Sequence, residues 1–310
     1  MGPSQMAVRE CRGVAVMTGA SGYIGRKVAS RFEAAGWRVV RVMRPNPARD
    51  AVTHTDPESV VRYDGTTGSL AALSRLDPET TVFVHLAAAA EITAEIEKAE
   101  QLVDANVRLG MDLAIFMIRH GFTRLVTAES YWQFDENGVM RGNSLYAATK
   151  SSFSVTLEYL ARHYLRVASL VLYDVYGPND GRGKLLNALI KHAGAATPFD
   201  LTAGEQIIDF VHVDDVANAF VVAAGQMLVD GTAPDFHRYT VNSMRPLSLR
   251  EYVGLIEKVM GCTIPVRWGA RPYARHQIMK PWLPDASRRL PDWVATIRFE
   301  EGIASLVDNG

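Results

Sequence analysis

A phenol and an ammonium one helical turn apart can carry proton chemistry, and Tyr146-Ala147-Ala148-Thr149-Lys150 supplies that pair. An isolated tyrosine has a pKa of about 10 and is a poor base at neutral pH. A neighbouring lysine ammonium favours phenolate and lowers that value. Spacing of four puts Tyr146 and Lys150 on one helix face. Ser130, just beyond the apolar run Leu125–Ala128, adds a hydroxyl able to orient a carbonyl and stabilise developing negative charge. Thr127 competes for that place. The spacing alone also fits an ordinary amphipathic helix, so its meaning rests on what surrounds it.

The second motif is Gly19-Ala20-Ser21-Gly22-Tyr23-Ile24-Gly25, directly after the apolar run Val14–Met17. Gly19 permits a tight turn, Gly22 lets backbone approach a pyrophosphate, and Gly25 permits close helix packing. Helix amides at Ser21 to Gly25 then face an anion. A glycine triplet alone is weak. After a strand, before a helix and paired with Tyr146 and Lys150, it points to a nicotinamide dinucleotide and hydride chemistry on a carbonyl or hydroxyl group. Sites for NAD place Asp or Glu at the end of the second strand. Here that end reads Val42-Met43-Arg44-Pro45, without an acid. Arg44 can pair a 2′-phosphate, so NADP is expected over NAD, though a solvated arginine reads the same. Asp64 either accepts from the adenine amino group or makes a simple Asp-Gly turn. Leu86, Ala87 and Ala88, after His85, are small enough to let backbone pass the cofactor, and plain core packing looks alike.

The elements that must hold these groups alternate. Expected strands are Val14–Thr18, Arg38–Met43, Val60–Tyr63, Val82–Leu86, Leu125–Ala128 and Val167–Leu172. Expected helices are Tyr23–Ala35, Ala94–His120 and Tyr146–His163. This predicts an α/β chain, a Rossmann-like doubly wound parallel sheet with right-handed crossovers. Beyond Gly177-Pro178 glycines and prolines crowd the chain. We expect a dinucleotide-binding domain over residues 14–176, with 207–243 returning to it, and a smaller substrate-binding lobe over 177–206 and 244–310. The chain has 310 residues, is 48% hydrophobic and carries a net charge of −1. That allows a large core and argues against nucleic acid as partner. It shows no run of about 18 apolar residues to span a membrane. Met1 to Gly13 reads as a ragged leader without a signal peptide's apolar stretch. Cys11 and Cys262 are the only cysteines, which fits a cytoplasmic location. No metal site is expected from the histidines. Asp214, in Val213-Asp214-Asp215, reads as a helix cap.

These residues resemble the extended short-chain dehydrogenase/reductase family of nucleotide-sugar epimerases, dehydratases and reductases. The resemblance runs from about Val14 to about Ile303. It is carried by Gly19–Gly25, His85–Ala88, Asn106, Ser130, Tyr146–Lys150, Tyr176-Gly177-Pro178 and Val211–Asp215. Leu145–Lys150, Tyr173–Asp180 and Gly204–Ala219 look most like bacterial reductases of nucleoside-diphosphate 4-keto-6-deoxysugars. The resemblance implies Tyr146 as proton donor or acceptor, Lys150 as its support and grip on the ribose, and Ser130 at the catalytic hydroxyl. It implies Asp64 at adenine, Tyr173 on the cofactor, and Asn106 steadying the active-site helix, where a buried amide satisfied by backbone would look the same. For substrate it implies Glu129, Ser130, Tyr131 and Asp174, with Lys184 and Arg275 available to a diphosphate beside Arg182. It also implies a homodimer packed through the helices Ala94–His120 and Tyr146–His163.

Departures shape the expected reaction. Dehydratases of the family carry Asp-Glu directly after the catalytic hydroxyl, and here Tyr131-Trp132 stands there. Epimerases keep tightly bound NAD and the acid that Met43 replaces. The arginine the family places before the Asp of Gln206–Phe210 is Ile208 here. The expectation is an NADPH-dependent ketoreductase acting on a nucleoside-diphosphate 4-keto-6-deoxysugar. An NAD-dependent nucleotide-sugar 4-epimerase is the alternative within enzymes. A dinucleotide sensor without catalysis is the alternative outside them.

Overall fold

Residues 12–45, 59–90, 96–229 and 231–308 are described by the computed structural model. The apolar runs become strands because helices cover them on both faces. In β1 (Val14–Thr18) Ala15 and Met17 face one side and Val16 the other, the two-residue alternation of a strand. It lies parallel between β2 (Arg38–Met43) and β4 (Thr81–His85), with Val16 opposite Val40 and Phe83. β3 (Val60–Arg62), β5 (Arg124–Ser130) and β6 (Arg166–Leu172) extend the sheet. The chain returns late to add β11 (Asp235–Val241) beside β6. Among the described residues the order is β3-β2-β1-β4-β5-β6-β11, all parallel. The winding reverses between β1 and β4, which opens a crevice over the strand ends.

One face is covered by α1 (Tyr23–Ala34) and the helix Val213–Val229, through Val28, Phe32, Val216 and Phe220. The opposite face is covered through Leu113, Phe116, Met117, Phe153 and Leu157. Each fully buried phenylalanine contributes about 1.5–3 kcal/mol. The covering helix expected over Ala94–His120 is not continuous. It comprises a 3-10 turn (Ile96–Lys98), α2 (Ala99–Val103), a π turn (Asp104–Arg108) and α3 (Leu109–Arg119). Ala94 and Glu95 lie outside the described residues. The π turn centres on the buried Asn106, and such turns commonly serve a site. The last covering helix, α4 (Leu145–Ala161), starts at Ser144, whose hydroxyl accepts from the Ala147 amide at 3.2 Å.

A third apolar cluster, including Tyr176, Leu189, Leu201, Phe210, Tyr252 and Ile256, lies beyond the sheet. It involves β7 (Asp174–Tyr176), α5 (Leu185–His192), β8 (Phe199–Asp200), β9 (Ile207–Ile208), β10 (Phe210–His212), α6 (Val213–Val229), β12 (Leu247–Ser248), α7 (Leu249–Met260), β13 (Val266–Arg267) and α8 (Phe299–Asp308) as its framework and neighbours. Asp214 does not cap α6. It occupies the first turn and pairs with Lys27 at 3.3 Å. The buried Asp215 carboxylate accepts from the Thr296 amide and hydroxyl and the Ile297 amide, at 3.1, 2.8 and 3.0 Å. Cys262 is a free thiol, and Cys11 lies outside the described residues. Among the described residues no helix is long and apolar enough to cross a membrane.

Candidate active site

Two cavities of about 560 and 640 Å³ meet above the ends of β1 and β4, sharing Gly19, Gly22, Leu86, Ala88 and Ala89 as walls. One runs towards Arg44 and Asp64. The other runs towards Ser130, Tyr146 and Lys150.

The glycine turn fits a dinucleotide. Gly19 has φ +72°, and a Cβ there would sit 2.5 Å from the Ala87 amide nitrogen. At Gly25 a Cβ would sit 2.0 Å from the Gly19 carbonyl oxygen. Gly22 differs: a Cβ would meet only the Gly19 oxygen, at 3.3 Å, and otherwise enter open space. Two glycines therefore close the turn against helix and strand, and the third keeps the groove clear. No side chain caps α1 and its first turn holds no acid, so its amide end is free to face phosphate. Thr18 closes the base of the turn, its hydroxyl taking the Leu86 and Ala87 amides, both at 3.2 Å, and meeting His85 Nδ1 at 2.8 Å. Ser21 and Ala87 line the cavity towards Arg44, whereas Tyr23, Ile24 and Gly25 line the one towards Tyr146. Arg44 is exposed on that first wall beside Met43. Asp64 lines it too, with one carboxylate oxygen accepting from the Thr66 amide and hydroxyl at 2.9 and 2.7 Å. Those bonds hold its carboxyl below the usual range.

In the other cavity Ser130, Tyr146 and Lys150 come together. Tyr146 and Ser130 line the same cavity, and the Ser130 hydroxyl is the neighbour that favours the Tyr146 phenolate. Burial pushes the Tyr146 phenol up, with that neighbour opposing it. This overturns the expectation that Lys150 lowers it: Lys150 instead donates to the Ala128 carbonyl at 2.7 Å. The result is a phenol that keeps its proton. Burial pulls Lys150 down to about 8, with Glu129 opposing. Thr127, the competing hydroxyl, is buried and faces the His85 carbonyl at 3.4 Å. Asn106 bridges both walls. Its amide oxygen accepts from the Ala89 amide at 2.8 Å, and its nitrogen donates to the Ala89 carbonyl and the Thr149 hydroxyl at 3.2 and 3.0 Å. Both readings of Asn106 therefore meet in one side chain.

At the far end, Tyr131 donates to Asp174 at 2.7 Å and stacks on Tyr173, the rings 5.3 Å apart. Burial raises the Asp174 carboxyl, against the pull of Lys184. Lys184 stays solvent-accessible at the cavity wall, yet the surrounding walls desolvate it and lower its ammonium pKa. Arg182, held by Asp180 at 2.6 Å, lies 4.4 Å over the Tyr23 ring. Three expected site residues sit differently. Glu129 lines the cavity, but its carboxylate is held by Arg238, at 2.7 and 3.1 Å. Tyr173 lines the cavity, but its hydroxyl is donated to the Trp282 carbonyl. Arg275 is exposed and lies outside the linings of both cavities.

The sequence reading missed Gln133, Thr149 and Arg238. Gln133 accepts from the Ser130 amide at 2.9 Å and donates to Ser154 on α4 at 3.0 Å. Its spacing of three after a serine is a capping-box signal that could have found it. Arg238 carries no local signal, because its partners lie 109 and 80 residues away.

The arrangement can place a carbonyl oxygen between a hydroxyl and a phenol, next to a glycine turn shaped for a dinucleotide. Known proteins resemble the chain over most of its length. The chain is 23% identical to a CDP-abequose synthase of Yersinia pseudotuberculosis over 267 residues, 86% of this chain and 90% of that one. It is 22% identical to a UDP-glucuronate 4-epimerase of Thermodesulfobacterium geofontis, over 96% of this chain and 95% of the relative. Its fold matches a UDP-glucose-4-epimerase from Stenotrophomonas maltophila, solved with NAD and formylated UDP-arabinopyranose, with a TM-score of 0.79 and 21% identity over 96% and 97% of the two chains. The family model described as the NAD dependent epimerase/dehydratase family matches residues 15–234, and the chain is an NAD(P)-dependent enzyme belonging to that family.

Proposed function

We propose that this enzyme is an NADPH-dependent ketoreductase acting on a 4-keto-6-deoxysugar carried by a nucleoside diphosphate. The observation that carries the reading is the buried Tyr146 beside Ser130 and Lys150 in a cavity continuous with the glycine cradle. A nicotinamide dinucleotide bound there supplies the hydride. Ser130 and Tyr146 orient the keto oxygen between two hydroxyl donors. As hydride reaches the carbon, Tyr146 gives its proton to the oxygen, and the Lys150 ammonium stabilises the phenolate left behind until solvent restores the proton. Arg44, directly after Met43 at the place of the ribose-binding acid, supports NADPH over NADH.

Relatives named for CDP- and UDP-sugars support a nucleoside diphosphate on the substrate. Lys184, accessible on the cavity wall, is the cation we assign to its phosphates, and Asp174 with Tyr131 is assigned to the sugar. The third apolar cluster is the lobe that holds this end. A second copy packs on α4, where Val155 and Tyr159 stand exposed at 59% and 57%. A content of only two cysteines supports a cytoplasmic site for the reaction.

Tyr146→Phe tests the reading. Turnover is expected to vanish while dinucleotide affinity stays within about threefold, and turnover like wild type refutes it. The second reading, 4-epimerisation, is favoured by the NAD found in the Stenotrophomonas structure. Purified enzyme that retains NAD and interconverts a sugar nucleotide would establish it instead.

A further inference from the structure

Behind the reacting residues lies a charge cluster with no part in the chemistry above. Glu129 is the penultimate residue of β5, next to Ser130. Its side chain is 2% exposed, and Arg238 on β11 grips it with two hydrogen bonds, at 2.7 and 3.1 Å. The same guanidinium reaches Glu158 on α4 at 2.5 Å. Arg238 thus joins the strand that ends in Ser130 to the helix that carries Tyr146 and Lys150. Glu129 shares a sheet side with Leu125, which packs against α4. The Lys150 amine is donated to Ala128, the residue preceding Glu129. A buried carboxylate is costly unless paired, and Arg238 supplies that pairing.

We propose that Glu129, fixed by Arg238, is the counter-charge that keeps Lys150 an ammonium, making both positioning residues for the Tyr146–Lys150 pair. This rests on the ketoreductase reading of the site. Burial works against the Lys150 charge, and Glu129 is the group that opposes it. The other groups around the helix do not do this. His85 on β4 is held neutral, down at about 3, by burial and by Lys150 itself. Tyr146 on the same helix and Tyr131 in the turn after β5 both keep their protons. Asp104 and Arg108 in the π turn pair with each other at 2.7 Å in solvent. Glu158 is half-exposed and already bound to Arg238. Arg238 shares one positive charge between two carboxylates, so the cluster as a whole carries a net negative charge beside α4.

The test is an NMR titration of 13C-lysine-labelled enzyme without cofactor or substrate, with the Lys150 signal assigned by its loss in Lys150→Met. Wild type is expected to titrate near 8. Glu129→Gln is expected to lower the midpoint by about one pH unit. Arg238→Gln, which leaves Glu129 uncompensated, is expected to raise it. Glu129→Asp should restore the wild-type midpoint. Opposite signs in the two neutralising variants are something a merely structural clamp does not produce, and either variant can be read if the other fails to fold. Shifts of one sign, or no shift in a folded variant, overturn the proposal. Because the titration needs no turnover, its failure stays separate from failure of the ketoreductase reading, which Tyr146→Phe decides.

Discussion

Replacing Asn106 by alanine removes three hydrogen bonds from a side chain that is 1% exposed. The Thr149 hydroxyl keeps its acceptor, the Tyr146 carbonyl, at 2.9 Å, so its loss is small. The Ala89 amide and carbonyl lose the partner that served them both. Ala89 is half-buried on the cavity wall, so water can replace part of what is lost, and at about 0.5–1.5 kcal/mol net for each of its two hydrogen bonds the substitution should destabilise the fold by about 1–3 kcal/mol. Activity should suffer separately. Ala89 lines both cavities, and Thr149 lies on α4 between Tyr146 and Lys150, so the amide fixes the cradle wall against the reacting helix. A misplacement of about 1 Å at reacting groups can cost about a hundredfold in rate. Urea unfolding followed by fluorescence measures the first effect, and kcat on folded enzyme measures the second. Asn106→Ala with a stability loss under about 0.5 kcal/mol and an unchanged kcat would refute the reasoning.

Three further outcomes follow from the geometry. Gly25→Ala forces α1 away from the Gly19 carbonyl, and about 1–3 kcal/mol of overpacking should weaken dinucleotide binding roughly 5- to 150-fold by calorimetry. Arg44→Glu should cost NADPH a charge-assisted pair worth about 1.5–3 kcal/mol, lowering kcat/KM for NADPH roughly 10- to 150-fold and leaving NADH nearly untouched; equal losses for both would remove Arg44 from the 2′-phosphate. Lys150, down at about 8 by burial, is protonated below that pH and neutral above it. kcat/KM should therefore hold level below 8 and fall above it. The unfolded chain titrates this lysine at about 10.4, so between the two values its contribution to stability rises with pH.

The strands were legible because both faces of the sheet are covered, and runs such as Val14–Thr18 and Arg38–Met43 carry their burial in their composition. Tyr146 and Lys150 were legible because their spacing is local. The long helix was misread around Asn106, since a π turn is set by what the amide reaches across the cleft and not by periodicity along the chain. The hold on Glu129 was not legible for a related reason: Arg238 claims its carboxylate from the far edge of the sheet. The tyrosine's proton affinity was reversed by burial, which depends on the packed structure. The hydrogen bond of the Tyr173 hydroxyl to Trp282 was hidden for the same reason, a partner 109 residues away.

The central claim is that NADPH delivers hydride to a nucleotide-linked keto sugar here. Following NADPH absorbance with a panel of nucleoside-diphosphate 4-keto-6-deoxysugars, and NADH in parallel, tests it most directly. The account predicts NADPH consumption with at least one of them, preferred over NADH and lost in Tyr146→Phe. Tight dinucleotide binding with no consumption on any sugar of the panel would contradict it.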